Sequence, residues 1–256
     1  MLRPRIIPCL LVQDGGLVKT VNFGQPKYVG DPINAVRIFN EKEVDELIVV
    51  DIDATAKGRE PDYTMIANLA AECRMPLCYG GGVTRADQIE RIVSLGVEKV
   101  AVSAAAVADP HLIAKASAQV GSQSVVVVLD VKKTRRGYEV HTHNGRKATG
   151  RLVTDLAREV EALGAGEIVI NSIDQDGLMK GYDLELARAV RAVITRPMTV
   201  LGGAGKLDDV AALVREFDIV GAAAGSLFVF KGVYRAVLIN YPNRAAKDAL
   251  VAQARA

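Results

Sequence analysis

Four aspartates stand at or just past the ends of apolar runs: Asp51, Asp130, Asp174 and Asp176. Asp130 closes the run Val125–Leu129, with no turn residue before it. A carboxylate placed there points out of a buried strand end and loses part of its water. That raises its pKa and suits proton transfer near neutrality. Asp51 fits a structural hydrogen-bonding role as well as a chemical one. Asp176 is followed by Gly177, which fits a turn or a phosphate-holding loop. Glycine clusters form the second group. Gly202-Gly203-Ala204-Gly205 and Ala222-Ala223-Ala224-Gly225-Ser226 each follow a short apolar run. Bare backbone N–H groups can approach phosphate oxygens there, and a helix start favours the anion. Ser226 adds a hydroxyl. Gly80-Gly81-Gly82 and Ser103-Ala104-Ala105 repeat the arrangement. Two such sets fit a ligand phosphorylated at both ends; tight turns are the plainer use of the same glycines.

The elements that must position these residues alternate along the chain. Strands are expected at Arg5–Val12, Glu46–Ile52, Met75–Tyr79, Lys99–Ser103, Ser124–Val131, Glu167–Ser172, Met198–Leu201 and Ile219–Ala223. Helical patterns occupy Pro32–Glu43, Tyr63–Cys73, Arg85–Leu95, His111–Val120, Leu152–Leu163, Leu184–Ile194 and Leu207–Glu216, with a short terminal helix near Tyr234–Asn240. The strand runs are almost wholly apolar, as when both faces are buried. Eight βα units in 256 residues predict one (β/α)8 TIM barrel, with the chemistry at the carboxyl ends of its strands. A doubly wound sheet is the alternative, but no GxGxxG follows the first strand. Two stretches break the rhythm. Gly15–Gly30 reads as a long loop, and Lys132–Thr149 as a basic hairpin decorating the surface. Its His141 and His143 have no Cys or carboxylate cluster beside them, so no metal site is expected, and no cofactor.

The chain also repeats itself. Glu46 and Glu167 open similar runs 121 residues apart, and Gly82 and Gly203 keep the same offset. KVAVSAAAV and IVGAAAGSL follow in step. This spacing predicts two half-barrels, at about 1–121 and 122–245. Half of the residues are hydrophobic, only 5% are aromatic, and the net charge is +2. So balanced a charge argues against a nucleic-acid partner. No apolar run nears the roughly 20 residues of a membrane span. The start MLRPRIIPCLLV is interrupted by Pro8 and lacks a small-residue cleavage site, so no signal peptide is expected. Cys9, Cys73 and Cys78 read as reduced thiols of a cytoplasmic protein.

Nearly the whole chain resembles the cyclase subunit of imidazole glycerol phosphate synthase. RIIPCL, Val18-Lys19, Gly30–Pro32, Asp45–Leu47, Gly80–Gly82, GSQ, GAGEI, DQDG, GYDLEL and GGAG carry the resemblance. It implies a twofold-repeated barrel. Such a barrel takes ammonia from a glutaminase subunit and closes an imidazole ring on a bisphosphorylated aminoimidazole-carboxamide ribonucleotide. It also implies a charged ring through which ammonia enters, at Arg5, Glu46, Lys99 and Glu167. Each of these stands just before an apolar strand, hence at the amino-terminal floor. Substrate-binding positions carried over are Lys19, Asp51, Gly82, Ser103, Asp176, Gly177, Gly203, Ala224, Gly225 and Ser226, with Asp130 as the catalytic acid/base.

Two departures stand out. The family's other catalytic aspartate falls at Leu11, which cannot transfer a proton. The Asn-Thr pair usual after the fourth strand is Ser103-Ala104. With its loop KTVNFGQPKYVGDP, the chain resembles a divergent branch associated with sugar amidation in surface polysaccharides. There the barrel relays ammonia from its glutaminase to a separate sugar-modifying enzyme. The alternatives are an ordinary histidine-pathway cyclase, a non-catalytic scaffold that activates the glutaminase, and a sister isomerase of the same repeated fold. The isomerase needs no ammonia gate.

Overall fold

The computed structural model describes residues 3–255. Met1 and Leu2, which begin the stretch read above for a leader peptide, lie outside the described residues. Eight parallel strands close a ring: β1 (Arg5–Gln13), β2 (Leu47–Asp51), β3 (Leu77–Gly80), β4 (Lys99–Val102), β5 (Val125–Thr134), β6 (Glu167–Ser172), β7 (Met198–Leu201) and β8 (Gly221–Ala224). Each pairs with the next, and β8 pairs with β1 in the register Arg5↔Gly221 to Pro8↔Ala224. The protein is therefore a (β/α)8 barrel. Among the described residues no helix is long and apolar enough to cross a membrane.

Alternation along each strand divides the apolar residues into two cores. On β1, Ile6, Leu10 and Val12 face outward to the helices. Ile7 and Cys9 face the bore with Ile48, Cys78, Ala101, Val126, Val169 and Ala223, and Leu11 packs on them from above. Four of these bore side chains are Cys or Ala, so the axis is narrow but not filled by bulk. Asp31 and Asp62 cap the helices Pro32–Glu41 and Tyr63–Glu72 through their carboxylates.

Three segments differ from the sequence expectation. Gly15–Gly30 is a hairpin rather than a loop, with strands Gly16–Val21 and Gly24–Gly30. Asn22 and Phe23 both have positive φ, 48° and 61°, the geometry of a two-residue turn matched to strand twist. Tyr234–Asn240 is not helical. Phe230–Lys231 and Ala236–Val237 form a tiny antiparallel pair. The backbone N–H groups of Leu238 and Asn240 then donate to Val229 and Phe228, which holds the segment extended. The terminal helix comes later, at Arg244–Arg255, after Pro242 and a side-chain cap from Asn243 to the Ala246 N–H. Third, the hairpin after β5, with strands Gly137–Thr142 and Lys147–Leu152, is more than surface decoration. Its tip reaches across the mouth, where Asn144 Nδ2 donates to the Ile52 carbonyl just past β2.

Candidate active site

Strand ends and their loops surround a cavity of about 150 Å³ at the carboxyl-terminal mouth. It descends along the axis to Cys9, Ile48, Cys78, Ala101 and Val169. Ile48, Ala101 and Val169 lie two residues along their strands from the floor positions Glu46, Lys99 and Glu167, about 7 Å at strand rise. Burial pushes the Cys9 thiol up to about 12 and the Cys78 thiol well above its usual value, so both stay protonated and apolar in the bore.

The polar residues group on the cavity wall. Asp130 faces it from β5, and Asn171, opposite in register on β6, donates from Nδ2 to Asp130 Oδ1 at 2.9 Å. Burial pushes the Asp130 carboxyl up to about 7; the Asn171 hydrogen bond holds it down and the Asp176 charge raises it. Asp176 is buried and accepts from the Thr20 hydroxyl at 2.7 Å and the Phe23 N–H at 3.1 Å, with Lys19 Nζ at 3.6 Å. It thus anchors the first hairpin over the mouth and places Lys19 beside Gly225. A Cβ on Gly225 would come within 2.8 Å of the Lys19 ammonium nitrogen. Asp174 turns away and accepts from the Lys133 N–H. Asp51 Oδ1 accepts from the N–H groups of Asp53 and Ala54 at 2.9 and 3.0 Å, so it shapes the loop after β2 while lining the cavity.

The two glycine sets face the same space. Gly202, Gly203, Ala224, Gly225 and Ser226 line it with Gly177, and Gly82 and Ser103 line it too. Gly203 has φ +109°, and a Cβ there would lie 2.0 Å from the Gly181 carbonyl oxygen. Gly82 and Gly177 also have positive φ, and Cβ atoms there would meet Arg59 and Thr20 carbonyls at 2.7 and 2.3 Å. Only glycine fits these turns. Leu11 lines the cavity where the resemblance calls for an aspartate. Asp14, the nearest carboxylate along the chain, is exposed and paired with Lys57 instead.

At the opposite end, Arg5, Glu46, Lys99 and Glu167 meet. Arg5 pairs with Glu46 and, at 2.6 Å, with Glu167; Lys99 Nζ lies 2.9 Å from Glu46 and 3.0 Å from Glu167. Each cation therefore bridges both anions, and both glutamates are buried. Burial opposes ionisation of Glu167, but the charge and hydrogen bonds of Arg5, with Lys99 and Thr199, outweigh it and hold its carboxyl at about 2. Arg5 and Lys99 are correspondingly raised against their own burial.

The depressed Glu167 value dates the ring's contribution on the pH scale. Stability from Glu167 is present above its ordinary 4.5 and is lost as pH falls toward 2. The variant Glu167→Gln is expected to lose about 3 kcal/mol at pH 7. That gap should narrow between pH 4.5 and 2 in urea unfolding at a series of pH values. A gap that does not change with pH would contradict the assignment.

A family model described as histidine biosynthesis protein matches residues 5–235. A protein of Leptospira borgpetersenii, provisionally named imidazole glycerol phosphate synthase subunit HisF, is 58% identical over 98% of this chain and 99% of its own length. The chain belongs to the HisF family. A provisionally named hisF3 subunit of Vibrio vulnificus is 55% identical over 96% of both chains. The HisF subunit of Hyphomonas neptunium, named without qualification, is 42% identical over 90% of this chain and 91% of its own.

The site roles of four residues of this HisF-family barrel escaped the sequence reading. Thr199 donates to Glu167 at 2.5 Å and is fully buried, so the ring has a fifth member. Thr199 is the second residue of the four-residue strand Met198–Leu201 and uncharged, so no charge pattern reveals it. Asn171 sits on an apolar strand, and only its register with Asp130 shows its role. His143 and Asn144 line the cavity because the hairpin folds back over the mouth. Among the described residues no group of three or more His, Cys, Asp or Glu could hold a metal ion.

Proposed function

We propose that this HisF-family barrel receives ammonia from a glutaminase subunit docked on its floor and conducts it along the bore to the mouth. From there the ammonia serves a separate sugar-amidating enzyme of surface-polysaccharide biosynthesis. The observation that carries this reading is the pairing of a complete charge ring at the floor, below an uncharged bore lined by small side chains, with Leu11 at the mouth. The delivery apparatus is kept while one of two cooperating proton-transfer groups is missing.

The chemistry follows from the layers. The paired ring closes the floor to ions, because a free ion in the apolar layer above would lose its water without a partner. Lys99 is the better placed to move: both cations bridge the two glutamates, but Lys99 does so with one flexible ammonium and Arg5 with a planar fork. Neutral ammonia then passes Cys9, Cys78 and Ala101, whose side chains carry no charge. At the mouth Asp130, whose carboxyl burial pushes up to about 7, gives and takes protons. Lys19, Asp51, Asp176 and the two glycine sets hold a phosphorylated small molecule. The offset pairs Gly81/Gly202 and Gly82/Gly203 all adopt positive φ, which supports two half-barrels with one phosphate site each. Reduced thiols in the bore fit the cytoplasm.

A second reading, a histidine-pathway cyclase, is favoured by Asp130 and the intact glycine turns. The two separate in one assay. Folded protein is given the bisphosphorylated aminoimidazole-carboxamide ribonucleotide and excess ammonium, and substrate loss is followed by absorbance. No turnover is expected. With the glutaminase, ¹⁵N-amide glutamine and the sugar-modifying enzyme, label is expected in the sugar. Turnover of the ribonucleotide at the rate of a histidine-pathway enzyme overturns the relay.

A further inference from the structure

We infer that Asn171 is a positioning residue: it holds Asp130 by one carboxylate oxygen and leaves the other facing the cavity as the acceptor for an N–H ligand, ammonium or a primary amine. The ligand class rests on the ammonia reading above; the positioning role rests on geometry alone. Asn171 and Asp130 are register partners on neighbouring parallel strands, both turned into the bore. Asn171 is 8% exposed and donates to Asp130 Oδ1 at 2.9 Å. Its own Oδ1 is buried with no hydrogen-bond partner among the described residues, beside Gly202, where a Cβ would come within 3.1 Å of it. A buried amide oxygen without a partner costs free energy. Reversing the amide would set that oxygen against the carboxylate, which is worse. The side chain therefore serves Asp130 at its own expense. Among the described residues the Asp130 carboxylate accepts only the Asn171 hydrogen bond, on Oδ1, and its side chain lines the cavity.

Among the described residues Asn171 is the one hydrogen-bond donor to the Asp130 side chain. Asp176, from the loop after β6, adds negative charge and is itself engaged by Lys19 and Thr20. His141, opposite Asp130 in the hairpin ladder, places Nδ1 on the Gly145 carbonyl. Leu11 contributes no polar atom. A cation that brings its own N–H groups meets a carboxylate already fixed in direction, with little left to order on binding.

The test reads the Asp130 γ-carbon by NMR in uniformly ¹³C-labelled full-length protein, the resonance being assigned by its absence in Asp130→Asn. Wild type is expected to titrate near 7. In Asn171→Leu the midpoint rises by about one pH unit through loss of a charge-assisted hydrogen bond. In Asn171→Asp it rises at least as far, and in two coupled steps. Exchanging potassium chloride for ammonium chloride at equal ionic strength lowers the wild-type midpoint and leaves that of Asn171→Leu in place. A midpoint unmoved in both variants, with circular dichroism unchanged, overturns the positioning role. A wild-type midpoint indifferent to ammonium overturns the ligand. None of these titrations needs turnover. A failed relay assay with a moved midpoint removes the proposed function and leaves the Asn171 role standing.

Discussion

Replacing Lys99 by glutamate is expected to cost about 3–5 kcal/mol of folding stability at neutral pH and to uncouple glutamine hydrolysis from delivery at the mouth. In the native ring the Lys99 ammonium bridges Glu46 and Glu167, and all three are largely out of water. Lys99→Glu removes both contacts and sets a third carboxylate among them, with Arg5 as the only remaining cation. A buried charge that loses its partner is costly because neither water nor another ion replaces it. Urea unfolding gives the stability term. The coupling term comes from the ratio of glutamine consumed to labelled product formed, which is expected to rise many-fold as ammonia escapes to solvent. Lys99→Met, which keeps the length and drops the charge, should fall between wild type and Lys99→Glu in stability. A loss below about 1 kcal/mol with an unchanged ratio would mean that the ring neither holds the floor nor meters what passes it.

Leu11→Asp is expected to raise ammonium-dependent turnover of the bisphosphorylated ribonucleotide by about 10²-fold or more over the unmodified chain. Leu11 is half-buried at the end of β1, in register with Val18 of the first hairpin and Val50 of β2. A carboxylate there enters the cavity that Asp130 faces and restores two proton-transfer groups at one mouth. The expected stability loss is about 1–3 kcal/mol, from lost apolar contact and partial burial of charge. Absorbance with ribonucleotide and ammonium reads the gain directly. If folded Leu11→Asp protein shows none, position 11 is not what limits the chemistry. Attention then moves to Ser103 and Ala104, where the other departure in the mouth lies.

The barrel was legible because its signal is spread over eight buried strands, whose apolar runs survive errors of a residue or two at each end. Asp130 was legible because it interrupts the apolar run Val125–Leu129 inside β5, whereas the four ring charges came from the family resemblance. What escaped depends on the third dimension. Asn22-Phe23 is an unusual pair for a tight turn, so the first hairpin looked like a loop. The second hairpin was visible as a hairpin, but the direction in which it leans is set by Asn144 reaching Ile52, a contact 92 residues apart in the chain. Asn171 and Thr199 are defined by their neighbours across the sheet, and strand register is not written in either residue.

A ring of strands that closes on itself has no unpaired side, yet the two hairpins grafted onto this one each restore an outer rim. Gly24–Gly30 pairs on one side only, and so does Lys147–Leu152. Such rims recruit strands from other molecules when they are long, flat and apolar. Here the first rim carries Pro26 and Lys27, and the second carries Lys147, Gly150 with φ +72°, and Arg151. Proline removes a donor, glycine in that conformation bends the strand, and the charges resist apposition. The equipment added over the mouth thus brings back an aggregation hazard that the closed barrel alone would not have, and the composition of these two strands contains it.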